Sequence, residues 1–80
     1  MEIRATELGE MRIRKKHYRG GTLRLTAEQG EELTVVCHCD RSHWLATIQD
    51  GEAGPFLTLV CHNCGSRFVL PYIGAIPGRH

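Results

Sequence analysis

No stretch of the 80-residue sequence approaches the run of about 18 apolar residues that a membrane-spanning helix needs. Missing too are the short signatures of nucleotide and hydrolytic chemistry: there is no G-x-G-x-x-G, no phosphate-binding loop and no H-E-x-x-H. The deaminase pairing of His-x-Glu with a later Pro-Cys-x-x-Cys is absent as well. The first residues, Met1-Glu2-Ile3-Arg4-Ala5-Thr6-Glu7, carry neither the basic start nor the apolar core of a secretion signal. The expectation is a cytoplasmic chain whose thiols stay reduced. Strong net charge is lacking: a formal +1 and a pI near 7.8 exclude a protein held to nucleic acid by bulk electrostatics alone.

Acidic side chains are lacking in one place above all. From Met11 to Ala27 there are none, while Arg12, Arg14, Lys15, Lys16, Arg19 and Arg24, six of the ten basic residues, all fall there. Met11 and Ile13 alternate with Arg12 and Arg14, and beyond Gly20-Gly21 the residues Leu23 and Leu25 alternate with Thr22, Arg24 and Thr26. Period two on both sides of a Gly-Gly turn predicts a β-hairpin over 10–27 with its cations on one side. A helix over Glu2 to Lys16 is the rival, but Ile3, Leu8, Met11 and Ile13 do not line one face. Such a hairpin can lie along a phosphate backbone while His17, Tyr18 or Trp44 stacks on a base. Lysine and arginine on an edge strand also serve simply to block pairing with other strands.

What the chain has in quantity is a repeat. Leu33-Thr34-Val35-Val36-Cys37-His38 returns 24 residues later as Leu57-Thr58-Leu59-Val60-Cys61-His62. The first copy ends as a C-x-C at Cys37 and Cys39, the second as a C-x-x-C at Cys61 and Cys64. Two turns, each with two thiols, suit one tetrahedral ion, and zinc is the first expectation because it takes four thiolates in a closed shell. Four thiolates suit iron also. Cys37, Cys39, Cys61 and Cys64 form the leading ligand set, with His38 or His43 as a substitute for one cysteine of the tighter first turn. Laying Cys39 on Cys64 extends the repeat to Leu45 on Leu70 and Ile48 on Ile73. Two disulfides would need an oxidising compartment. A redox dithiol at Cys61 and Cys64 would need a helix after the motif, whereas Gly65 to Pro71 reads as strand and break.

Strands are predicted at Leu33–Cys37, Trp44–Ile48, Phe56–Val60 and Arg67–Tyr72, with a turn at Asp50-Gly51. Residues 1–9 read as a flexible amino terminus, 10–73 as a single domain and 74–80 as a tail. A domain this small commonly needs a staple, which one ion would supply.

Residues 33–73, with the four cysteines and the sequence Cys61-His62-Asn63-Cys64-Gly65, resemble the zinc ribbon. This β-rich module occurs in transcription factors, polymerase subunits, ribosomal proteins and many small bacterial and phage proteins. The likeness covers about half the chain and departs from the usual pattern in the C-x-C of the first knuckle. It implies a mainly β fold, a small zinc ribbon of two knuckles on β-hairpins behind an amino-terminal hairpin. A closed four-thiolate site leaves no position for substrate, so the expectation is a binding or regulatory module rather than an enzyme, with no small-molecule substrate. The partner is nucleic acid, contacted through the basic hairpin, or a nucleic-acid-processing protein such as a polymerase. For protein docking the candidate anchors are Tyr72 and Ile76 beside the apolar tail, with Trp44 and Phe68 assigned to the core.

Overall fold

The computed structural model describes residues 1–75. It is mainly β: seven strands in two sheets, with no α-helix among the described residues. The strands are β1 (Glu2–Arg4), β2 (Ile13–Arg19), β3 (Thr22–Ala27), β4 (Glu32–Val36), β5 (Trp44–Gly51), β6 (Gly54–Cys61) and β7 (Arg67–Pro71). One sheet has the order β1-β4-β3-β2 and the other β5-β6-β7. Two sheets of hairpins with a four-cysteine cluster agree with the small zinc ribbon that the sequence resembles.

The hairpin over 10–27 forms as its alternation requires. Gly20 and Gly21 sit at φ 60° and 82°, the pair of positive values that lets a two-residue turn follow the twist of its strands. On β3, Leu23, Leu25 and Ala27 are buried, so they mark the inner face. On β6, Leu57 and Leu59 do the same from the other sheet, joined by Trp44 and Ala46 of β5 and Leu70 of β7. These side chains form one core between the sheets. The sheets are also stitched by hydrogen bonds. Trp44 Nε1 donates to the Val35 carbonyl at 3.0 Å, and the Tyr18 hydroxyl donates to the Trp44 carbonyl at 2.9 Å.

Three expectations change. Residues 2–8 are built into the fold: β1 pairs in parallel with β4, a 3-10 turn follows at Ala5–Glu7, and Ala5 and Leu8 are buried. Secondly, the knuckles do not sit on equivalent hairpins. The second joins β6 to β7 within one sheet, whereas the first carries the chain from β4 across to β5 in the other.

Thirdly, the repeat past the cysteines keeps its spacing of 24, so Trp44 matches Phe68 and Ala46 matches Leu70. Trp44, Ala46 and Leu70 are buried, and Phe68 packs on the core with its ring centroid 5.9 Å from that of Trp44. Laying Leu45 on Leu70 and Ile48 on Ile73 is one residue out of step. Leu45 is 55% exposed where Leu70 is 1%, because a one-residue slip turns every strand side chain to the opposite face.

The carboxy-terminal part of the described chain closes the far end of the sandwich. Tyr72 bridges to Ile13, and the Ile73 N–H donates to the Ile13 carbonyl at 2.8 Å. A side chain at Gly74 would collide with the Arg14 carbonyl. Residues 76–80, most of the predicted tail, lie outside the described residues.

Candidate metal centre

Each knuckle begins where a strand ends in a buried thiol. Cys37 follows β4 and Cys61 closes β6, both essentially inaccessible. The backbone then turns back on itself. Asp40 N–H donates to the Cys37 carbonyl at 2.8 Å, and Gly65 N–H to the Cys61 carbonyl at 2.9 Å. The turns require a left-handed residue just after the second cysteine, filled by Gly65 at φ 75° and by Asp40 at φ 66°. Asp40 is the one non-glycine residue with positive φ among those described, a conformation that aspartate tolerates better than most. Arg4 steadies it, with its guanidinium 2.7 Å from the Asp40 carboxylate and 2.8 Å from the Cys37 carbonyl.

The two knuckles meet sulfur to sulfur. Cys37 and Cys64 Sγ lie 3.4 Å apart, Cys39 and Cys61 Sγ lie 3.6 Å apart, and all four lie within 4.8 Å of one another. Thiolates at about 2.3 Å from a tetrahedral ion stand about 3.8 Å apart, so this cluster has the dimensions of a four-thiolate site. The four cysteines are positioned to hold one metal ion. The gathered group contains no histidine. His38 instead lies beside it, with Nδ1 3.7 Å from Cys37 Sγ.

The donors around the sulfurs differ, and so do the thiols. Burial pushes the Cys37 thiol up to about 12, opposed by the backbone N–H of Cys39. The Ser66 hydroxyl, 3.1 Å from Cys64 Sγ, and the Ser66 backbone N–H pull the exposed Cys64 thiol down to about 6. Cys39 is lowered chiefly by the Asn63 side chain reaching across from the second knuckle, with help from the Arg41 backbone N–H. The shortened first knuckle therefore still supplies amide donors to sulfur. In the folded, metal-loaded protein, iodoacetamide should modify the exposed Cys64 first and the buried Cys37 last. Peptide mapping by mass spectrometry reads the order, and a chelator should make all four react at similar rates.

Asn63 and Ser66 support the site with no sequence signal beyond their nearness to Cys64, and Arg4, distant in sequence from every cysteine, carries none. The hairpin cations are not gathered on one side. Cross-strand pairing places Lys15 opposite Thr26, His17 opposite Arg24 and Arg19 opposite Thr22, all on the outer face. Lys16 pairs with Leu25 on the other face, where its ammonium stands 5.8 Å from the Tyr18 ring centroid. Arg14 falls in a register shift between Ile13 and Lys15. Arg12 precedes β2 and reaches Glu28 at 3.4 Å, while Arg24 pairs with Glu32 at 2.8 Å.

Two predicted contact residues prove structural. Tyr72 is 6% exposed, its hydroxyl donating to the Ala75 carbonyl at 3.2 Å, so it is no free anchor for a partner. Trp44 is 2% exposed and cannot stack on a base. Ile76 lies outside the described residues. Comparison with family models, with curated proteins and with solved structures gives no match.

Proposed function

We propose that this protein is a non-catalytic, zinc-stapled β module that binds nucleic acid along the outer face of its four-stranded sheet. The observation that carries this reading is the placement of Lys15, His17, Arg19 and Arg24 on that face, among Thr22, Thr26 and Thr34. Threonines and cations on an open sheet face suit phosphate oxygens, which fix position without reading sequence. Two acids share this face: Glu32 of β4, held by Arg24, and Glu2 of β1, opposite Thr34. Zinc is the favoured ion because four thiolates close its shell, which also argues for a structural rather than catalytic centre. Reduced thiols suit a reducing compartment such as the cytoplasm.

Charge along the long axis supports the same reading. Strand directions bring the hairpin tip and both knuckles to one end, with Arg19, Arg41 and Arg67. The β3–β4 and β5–β6 turns lie at the other, where Glu28, Glu31, Asp50 and Glu52 outnumber Arg12 and Arg14. This segregation matters because four lost protons against two metal charges turn the formal net charge of +1 into −1. Attraction to phosphate then depends on where the cations stand, not on their sum.

Binding should weaken steeply with salt. Lys15→Ala and Arg19→Ala should each lower the slope of log affinity against log salt by about 1, uniformly across nucleic-acid sequences. Fluorescence anisotropy over a salt series measures this, and a flat dependence in the parent protein would remove the proposed function.

A further inference from the structure

Two neighbouring depressions at the metal end both border on His43 and His62, and are treated together as one groove. The larger, about 450 Å³, also involves Tyr18, Gly21 and Leu45, and the smaller adds Arg41 and Asn63. That volume falls in the range of roughly 300–1,000 Å³ typical of ligand clefts. The groove is assembled from three separate turns. His62 N–H donates to the His43 carbonyl at 3.1 Å, which locks the second knuckle to the start of β5. The hairpin tip closes against them, since a Cβ on Gly21 would stand 4.0 Å from His43 Nε2.

No acidic side chain lines either half. The exposed polar groups are a guanidinium, two imidazoles and an amide, which together favour an anion of phosphate type. Beside them stands a fixed aromatic ring. Tyr18 is 46% exposed, yet its hydroxyl donates to the Trp44 carbonyl and accepts the Ala46 N–H at 3.1 Å. A ring already held in place loses little freedom when a base stacks on it. A base inside a duplex has both faces covered by its neighbours, so only an unpaired base can use Tyr18 in this way. Arg19, next to the Gly20-Gly21 tip, leads from the groove to the outer face of the sheet.

We infer that the groove holds one unpaired nucleotide of a single strand, its base on the Tyr18 ring and its phosphate among Arg41, His43 and His62. This rests on the nucleic-acid reading proposed above and assigns the protein a preference for single strands.

The test titrates a fluorescein-labelled oligo-dT strand, and a duplex of the same length, into the metal-loaded full chain. The oligo-dT strand should bind the parent about tenfold more tightly than the duplex, as stacking on one ring allows. The double variant His43→Ala with His62→Ala should lose that advantage and keep its affinity for duplex. Lys15→Ala with Arg19→Ala should weaken both ligands alike. Independently of any variant, the Tyr18 ring protons should shift upfield in NMR spectra when the strand is added. Equal affinity of the histidine variant and the parent for oligo-dT, with unmoved Tyr18 signals, would overturn the groove and leave binding along the sheet intact. Binding of neither ligand at low salt would overturn both.

Discussion

Removing the metal from the four-cysteine centre should unfold this protein. A chelator at neutral pH should abolish the cooperative thermal transition, and readdition of one equivalent of zinc should restore it. Cys37 and Cys39 hang from the end of β4 in one sheet, and Cys61 and Cys64 from the end of β6 in the other. One ion held by all four would therefore tie the sheets together at the end opposite the Tyr72–Ile13 bridge. Structural zinc contributes about 10–16 kcal/mol of apparent binding free energy at neutral pH, against a total stability of about 5–15 kcal/mol for ordinary domains. A core of this size supplies only a few kcal/mol by itself, about 3–5 kcal/mol for the smallest domains.

Single substitutions should grade with burial. Cys37→Ser and Cys61→Ser should abolish stoichiometric metal binding, since each puts a hydroxyl at a fully buried position. Cys64→Ser should retain weakened binding, because Cys64 lies at the exposed rim where water can complete the shell. Native mass spectrometry for metal content and circular dichroism for the transition check both. A chelated chain that melts within a few degrees of the loaded one would show that the core suffices.

The metal ligands were legible in the sequence because their geometry is local. Two cysteines in one turn can only point together, and the repeated strand before each pair brings the turns to the same depth. The faces of the hairpin cations were harder. Strand parity decides the face of each hairpin residue, and the register shift between Ile13 and Lys15 resets that parity invisibly. The same parity moved the second half of the repeat. The residue dropped inside the first knuckle is regained by Ser42 and His43 before Trp44, so the original spacing returns and Trp44, not Leu45, faces the core.

A three-residue strand such as β1 has too few positions to show alternation, and its parallel pairing with β4 is a contact between distant parts of the chain. Tyr72 is different, because a signal existed. Phe68, Leu70 and Tyr72 recur at period two, and all three turn to the core side.

Trp44→Ala should be the most damaging substitution outside the cysteines, costing about 3–5 kcal/mol, the range for losing a large buried aromatic. The indole lies between the sheets, edge-on to Phe68, and its N–H serves the Val35 carbonyl of the opposite sheet. Its own carbonyl receives the Tyr18 hydroxyl, so the hairpin, β4 and β5 all converge on this one residue. Trp44 also pairs with Cys61 across β5 and β6, directly behind a metal ligand. Collapse there should loosen the metal as well as the core.

Trp44→Phe separates the two contributions. It keeps much of the ring and leaves the Val35 carbonyl without its donor, for an expected loss of about 1–3 kcal/mol. Denaturant unfolding of the zinc-loaded variants, followed by circular dichroism, measures both. If Trp44→Phe is as damaging as Trp44→Ala, the hydrogen bond between the sheets matters more than the packing of the ring. If neither variant shifts the midpoint, the indole is not the keystone of the core, and stability must rest on the leucines of β3 and β6 and on the ion.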